Sequence, residues 1–182
     1  MAAPPTSESD DSIDRFLRRL TALRPGERAL LRRHFDRRLA ESPTALMLFY
    51  RIFPRRLPPW ATEPYFFVAT NAMRFPPELV GGQRNLGATL RAVITADNEP
   101  AITRQLQILL DADRDALYPR LTHTLGLLLS MRQPVNWRML LTDIQAWGHP
   151  DSYVQRRWAA AFHGHGFDTP PVLAATTTEI FL

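Results

Sequence analysis

The chain of 182 residues contains no cysteine and no lysine. Without cysteine it can form neither disulfide bonds nor thiolate metal sites. All 22 of its basic residues are arginine. A complete lack of lysine is typical of a coding bias, so the positions of the arginines are more informative than their identity.

Glycine is also scarce, with 8 residues against 16 prolines. The prolines fall mostly between segments of helical periodicity, which indicates that they separate helices. No apolar run approaches the ~20 residues that span a bilayer. The N-terminal residues are acidic and lack the basic start and apolar core of a secretory signal. The sequence therefore predicts no membrane segment, and a cytoplasmic location is expected.

Positive charge is concentrated in the first third of the chain. Residues 15–56 hold 12 arginines and only 3 acids, a formal charge of +9. Residues 57–182 are almost neutral, with 10 arginines against 11 acids. Each phosphate that an arginine neutralises releases a condensed counterion, and the guanidinium fork can grip phosphate through two hydrogen bonds. The clustering therefore favours contact with a nucleic acid.

Apolar residues recur at helical spacing along most of the chain, and neither strand hairpins nor repeats are recognisable. This pattern predicts an all-α fold of about eight or nine helices. Ser12 is expected to cap the first helix, and the second is predicted to run from residue 25 to about residue 40 with a cationic outer face. Pro119 is expected to start or kink a later helix.

The same pattern divides the chain into four parts, with the Pro- and Gly-rich stretch 75–83 as the best boundary between two helical lobes. A length of 182 residues fits one domain or two small lobes that share a core. The predicted parts are a disordered leader (1–11), an N-terminal helical lobe (12–80), a C-terminal helical lobe resembling a four-helix bundle (81–163) and an irregular tail (164–182).

No catalytic motif is present: the P-loop, GxSxG, HExxH and dinucleotide-binding patterns are all absent from the sequence. Asp111, Asp113 and Asp115 alternate as in a calcium loop, but the glycine and glutamate that such a loop needs are missing. We interpret these carboxylates as a helix-capping cluster. The sequence therefore predicts a protein that is not an enzyme and binds neither a cofactor nor a metal.

The histidines and tryptophans also favour structural roles. We interpret the five histidines as packed or solvated side chains rather than metal ligands or bases: His34, His123, His149, His163 and His165. Trp137, Trp147 and Trp158 are candidates for base-stacking platforms, but the first two fall roughly 80° apart on one helix, which is core spacing. Trp60, in a Pro-rich connection, stays open.

The later half of the chain resembles a known family in an ordered set of helical segments. The segments are Asn-Leu-Gly at 85–87, Pro-Val-Asn-Trp at 134–137, the element L-x-D-[IL]-x-x-W at 141–147 and Arg-Arg-Trp at 156–158. Together they resemble the CasB family, the small subunit of the type I-E Cascade surveillance complex of bacterial CRISPR immunity. Upstream, Leu-Leu-Arg-Arg at 30–33 and Phe-Tyr-Arg at 49–51 also resemble this family, so the resemblance covers about residues 12–162.

This resemblance implies an all-helical, two-lobed protein without enzymatic activity. It also implies a place in the complex, as one of a pair of copies along the belly, beside the backbone subunits that carry the guide RNA and near the large subunit. The basic surface would help to hold the guide–target region and the displaced non-target DNA strand.

The resemblance and the local charge together select eleven candidate nucleic-acid-binding residues. The family pattern implies Arg32, Arg33, Arg51, Arg104, Arg120, Arg156 and Arg157. Local charge adds Arg28, Arg37, Arg38 and Arg84.

Two other functions remain compatible with the sequence. The sharp turn at residues 24–26 suggests a helix-turn-helix DNA-binding regulator, although residues 27–38 lack the Asn, Gln and Ser expected of a recognition helix. A protein-only scaffold, in which the arginines meet acidic partner surfaces, is the second alternative.

Overall fold

A computed structural model describes residues 7–165, with side chains from Asp11 onward. These residues form nine α-helices and four short 3-10 turns, and no strand is found among them, which confirms the all-α prediction. The helices are α1 (Ser7–Thr21), α2 (Pro25–Arg32), α3 (Leu46–Ile52), α4 (Thr62–Ala72), α5 (Leu86–Arg91), α6 (Glu99–Leu110), α7 (Arg114–Ser130), α8 (Trp137–Ala146) and α9 (Tyr153–Phe162). The 3-10 turns are Leu39–Glu41, Pro43–Ala45, Pro59–Ala61 and Pro77–Leu79.

The first helix begins at Ser7, earlier than the expected cap at Ser12. Residues 7–11, which the sequence analysis placed in a disordered leader, are therefore helical. Arg15 pairs with Asp11 one turn before it, an acid-to-base order that supports a helix. The rest of that leader and most of the predicted tail lie outside the described residues.

The second helix ends at Arg32, far short of residue 40. The helix does not continue because two side chains of α4 form hydrogen bonds with backbone groups that a longer helix would pair with each other. The Asn71 side chain donates to the carbonyl of Phe35 at 3.0 Å. The Glu63 carboxylate accepts a hydrogen bond, at 3.1 Å, from the N–H of Leu39, the first residue of the next 3-10 turn. These tertiary contacts outweigh the helical periodicity on which the prediction rested.

Pro119 lies inside α7 rather than at its start. Because proline has no N–H, it cannot donate to the carbonyl of Asp115 one turn earlier. Arg38 lies over this gap: its Nη2 is 3.5 Å from the Asp115 carbonyl and 3.2 Å from the Asp115 carboxylate. An arginine from the N-terminal half thus supports a proline-containing turn in the C-terminal half.

Helix α4 lies at the centre of the structure, and every residue from 64 to 72 is buried. It contacts α2, α7 and α8, while α1 also packs against α8. Helix α5 packs mainly against α9, and α6 contacts α5, α7 and α9. The buried apolar side chains of both halves belong to one contiguous cluster. The division into two lobes at 80/81 stays a prediction, and the core is shared across it. Within residues 7–165, no helix is long and apolar enough to cross a membrane.

Candidate nucleic-acid interface

The end of α2 and the turn after it present a group of unpaired arginines. Arg32, Arg33 and Arg37 are exposed, and none makes an ion pair or side-chain hydrogen bond with another residue in the described range. Arg28, one turn earlier, is half-buried and also lacks such a partner there. Leu31 is fully buried and anchors α2 to the core, whereas the side chains of Arg32 and Arg33 that follow it are exposed. Cations are also favourable at the C-terminal end of a helix.

Three candidate arginines of the C-terminal half are exposed as well. Arg84 precedes α5, Arg104 lies on α6 and Arg156 lies on α9. Between residues 7 and 165 none of the three has an ion-pair or hydrogen-bond partner for its side chain. These guanidinium groups are therefore available to a ligand from outside the chain.

Three further candidates are accessible but already bonded within the protein. Arg51 donates to the Glu27 carboxylate at 2.6 Å, and that contact helps to keep the pKa of Glu27 below its usual value, after the larger effect of the backbone N–H of Arg24. Arg120 donates to the carbonyl of Ile108. Arg38 is bonded to Asp115 and also lies 5.2 Å from the ring centroid of Tyr118.

Arg157, which the family resemblance implies as a nucleic-acid contact, is largely buried. Its side chain is 9% exposed and forms an ion pair with Asp143, whose own side chain is 1% exposed. The indole N–H of Trp158 donates to the second oxygen of the same carboxylate at 2.6 Å. Arg157 therefore faces the interior, where it neutralises the buried Asp143 carboxylate. Helical spacing alone does not reveal this partner.

The L-x-D-[IL]-x-x-W element supplies the other half of this buried network. Burial raises the pKa of Asp143 to about 6, even though its contacts with Arg157 and Trp158 act in the opposite direction. The Trp147 indole donates to the carbonyl of Ala112 at 2.8 Å, and its ring centroid lies 5.0 Å from that of Trp158. This element therefore holds α8 and α9 together instead of forming a binding surface.

The tryptophans and Asp113, which the sequence also singled out, differ in their exposure. Trp137, Trp147 and Trp158 are at most 2% exposed, which confirms the interpretation that they belong to the core. Asp113 accepts a hydrogen bond from the N–H of Ala116 at 2.8 Å, so it caps α7 as expected. Trp60 differs from the other tryptophans because it is 56% exposed.

The histidines separate by environment. His34 is buried and lies 3.1 Å from the Thr44 hydroxyl, and burial lowers its pKa. His123 and His163 are exposed, whereas His149 lies 3.7 Å from an Asp151 carboxylate oxygen. In the part of the chain that the structure describes, no group of three or more metal-ligating side chains is assembled.

Two residues outside the predicted set stand out in the structure. Arg74 is half-buried, stacks 4.1 Å from the centroid of the Phe35 ring and donates to the Asn71 side-chain oxygen at 3.0 Å. No pattern in the sequence distinguishes it from the surface arginines. Tyr50 is 54% exposed. Its position off the buried stripe of Phe49 and Ile52 was the available signal.

Comparison with known proteins identifies the family. The family model for the CRISPR-associated protein Cse2 matches residues 27–163. A curated relative, the CRISPR-associated protein Cse2 of Thermus thermophilus, is 30% identical over 90 residues, which make up 48% of this chain and 52% of the relative. The chain thus spans about half the length of the curated relative that it matches.

Solved structures share the fold. The crystal structure of M. ruber CasB superposes with a TM-score of 0.66 at 29% identity, covering 85% of this chain and 92% of that chain. A chain of a CRISPR RNA-guided surveillance complex gives a TM-score of 0.72 at 20% identity, with 86% and 94% covered. Since the family model spans most of its length, the chain belongs to the CRISPR-associated protein Cse2 family, as its resemblance to CasB predicted.

Proposed function

We propose that this chain is a non-catalytic, nucleic-acid-binding subunit of an RNA-guided CRISPR surveillance complex. In that role it stabilises the guide–target region and the displaced non-target strand. Family membership and the shared fold of a surveillance-complex chain support the assignment to a complex. The observation that carries the nucleic-acid role is the group formed by Arg32, Arg33 and Arg37, exposed and without carboxylate partners among residues 7–165.

The physics of RNA-guided recognition suits such a surface. Guide pairing selects the target sequence, so a protein that holds the displaced strand has no need to read bases for specificity. Exchange of one duplex for another is nearly balanced in free energy, so modest binding to the displaced strand decides whether the open state persists. Exposed guanidinium groups provide binding that is independent of sequence and weakened by salt.

We divide the candidate arginines by whether their side chains are already bonded within residues 7–165. The proposed phosphate contacts are the arginines without partners in the described range: Arg28, Arg32, Arg33, Arg37, Arg84, Arg104 and Arg156. Arg51 and Arg120 would have to exchange an internal hydrogen bond for a phosphate. Arg38 and Arg157 are bonded to carboxylates and are assigned to the fold. The guide RNA, the backbone and large subunits and a second copy of this chain are the proposed partners.

The test is single-stranded DNA affinity of the full chain measured against salt. We expect Arg32→Ala/Arg33→Ala to weaken binding and to reduce the log–log salt slope by about 1.4, because each contact with a single strand contributes about 0.7. The matched control is Arg15→Ala/Arg132→Ala, which removes the same charge from two exposed arginines that are in ion pairs. A salt-independent affinity, or equal losses in both variants, would contradict the proposal.

Two outcomes would favour the alternatives. If Arg32→Ala/Arg33→Ala impairs assembly with the other subunits but not strand affinity, the arginines meet acidic protein surfaces and the chain is a scaffold. Preference for one duplex sequence over random DNA would indicate a helix-turn-helix regulator. The geometry gives that second reading little support, because α2 spans eight residues and buries Leu31.

A further inference from the structure

One surface segment combines exposed apolar side chains with positive charge. Residues 42–62, here called the acid-free segment, contain three arginines and no acidic residue. Of the four large apolar side chains that are exposed within residues 11–165, three lie in this segment: Met47 (86%), Tyr50 (54%) and Trp60 (56%). Exposed apolar side chains that cluster in one segment, together with positive charge, are typical of a binding surface.

Tyr50 is held in place by the core beneath it. Its ring makes edge-type contacts with Phe49 and Phe53, at centroid distances of 5.4 Å and 6.1 Å. Both phenylalanines are buried, whereas more than half of the tyrosine is exposed. Met47 precedes Tyr50 by three residues and Arg51 by four, so both lie next to Met47 on the outer face of α3. The ring is therefore anchored and accessible at the same time.

Trp60 is presented by a rigid connection. It follows Pro58 and Pro59, whose rings fix the backbone φ angle, and lies in a 3-10 turn. The Thr62 hydroxyl donates to the carbonyl of Pro59 at 2.6 Å and closes the turn. No other aromatic ring of the described residues contacts Trp60. The backbone that carries Trp60 is therefore already restrained, so little backbone entropy is lost when a ligand covers its side chain.

The acid-free segment adjoins the arginines of α2. The bond between Arg51 and Glu27 joins the exposed face of α3 to the first turn of α2, next to Arg28. Arg55 and Arg56 are exposed and, between residues 7 and 165, have no ion-pair or hydrogen-bond partner. Exposed aromatic side chains and free guanidinium groups thus occur within one short segment of the chain, between Tyr50 and Trp60.

We propose that Tyr50 and Trp60 stack on the bases of a single-stranded nucleic acid whose phosphates are held by Arg55 and Arg56. The inference rests on the proposed function and adds to it a contact with the bases. Every base has a π face, so stacking of this kind remains independent of sequence. The lack of any acid in residues 42–62 gives the segment the charge that complements a polyanion.

The test compares two strands of equal length on the full chain: oligothymidylate and an abasic phosphodiester strand. Wild type is expected to bind oligothymidylate more tightly. Tyr50→Leu/Trp60→Leu keeps apolar bulk but removes the π faces, and should reduce oligothymidylate affinity by about 5- to 150-fold for each aromatic lost, leaving abasic affinity unchanged. Tyr50→Phe should keep the difference between strands. Arg32→Ala/Arg33→Ala should weaken both strands by the same factor, and Ile108→Leu, on another surface, should change neither.

Fluorescence gives a second readout on the same protein. The other three tryptophans are buried, so quenching on addition of oligothymidylate reports on Trp60. Equal affinity of wild type for the two strands, or no quenching when oligothymidylate binds, would overturn the stacking proposal and leave phosphate binding intact. If Tyr50→Leu/Trp60→Leu loses co-assembly with partner subunits but keeps its strand affinity, the acid-free segment is a protein-docking surface instead. Salt-independent binding of both strands would mean that the proposed function itself is wrong.

Discussion

Gly87 of α5 lies directly against the backbone of Trp158 of α9. A Cβ atom at Gly87 would come within 2.7 Å of the Trp158 carbonyl carbon and 2.8 Å of its Cα, closer than real Cβ atoms approach backbone. Asn85, two residues earlier, caps α5 by accepting from the N–H of Ala88 at 2.9 Å. The Asn-Leu-Gly element therefore starts a helix and lets it cross another closely, which is a packing role.

Gly87→Ala should destabilise the protein by about 1–3 kcal/mol, because the obstructing atoms are backbone and only a shift of the two helices makes room. Urea denaturation of the full chain measures the change. The matched control is Gly26→Ala in α2, where no atom lies within 4 Å of an added Cβ. At that position we expect the free energy of unfolding to stay the same or to rise by up to about 1 kcal/mol, because alanine restricts the unfolded chain and favours the helix. Equal effects of the two changes would contradict this view of the crossing.

Arg156 and Arg157 are neighbours in opposite environments, because the first is exposed and the second is paired with a buried carboxylate. Arg157→Ala leaves the buried Asp143 carboxylate without its cation, so the free energy of unfolding should fall by about 3 kcal/mol or more. Arg156→Ala removes an exposed side chain and should change stability by less than about 0.5 kcal/mol. Strand affinity should show the reverse order once measured below the melting temperature of each variant. Wild-type stability in the Arg157 variant would show that its guanidinium is free.

The buried carboxylate also predicts a pH dependence. The pKa of folded Asp143 is about 6, against 3.8 for an unperturbed aspartate, so the folded state binds the proton more tightly. The stability that protonation of Asp143 contributes is fully present below about pH 4 and is lost as the pH rises through about 6. Relative to Asp143→Asn, wild type should therefore lose stability between about pH 4 and pH 7, by at most about 3 kcal/mol.

This comparison separates Asp143 from the other acids. Asp14 has a lowered pKa because it accepts hydrogen bonds from Arg138, and the stability it contributes is lost as the pH falls. Its contribution is the same in wild type and in Asp143→Asn, so the difference between their unfolding free energies isolates the buried group. A difference that does not change with pH would refute the assignment.

Much of the fold was predictable because apolar periodicity survives in each helix. The stripe formed by Ile13, Phe16 and Leu20 is buried as a unit. Where helices end was less predictable, because tertiary partners decide it. The donor from Asn71 that captures the Phe35 carbonyl is 36 residues away in sequence, and no local pattern announces it.

The candidate site was predictable only in part, because sequence shows where arginines are and not what they contact. Arg32 and Arg33 are exposed and free of ion pairs within the described residues. Arg157 has the same sequence environment as Arg156, yet it faces a carboxylate that lies 14 positions earlier. Distinguishing such residues requires knowing which helices cross and at which face.

Arg37 and Arg38 provide the last prediction, since adjacent arginines again differ in what they contact. Arg37 is exposed without a partner in residues 7–165, so Arg37→Ala should reduce the log–log salt slope of single-strand binding by about 0.7 and leave stability unchanged. Arg38 holds Asp115 and Tyr118, so Arg38→Ala should leave the slope unchanged. It should cost up to about 1 kcal/mol of stability, because the pair is partly exposed. Denaturation and binding isotherms on both variants give the four values. A reduced slope in the Arg38 variant at unchanged stability would mean that phosphate competes successfully for that guanidinium, and that Asp115 releases it when nucleic acid binds.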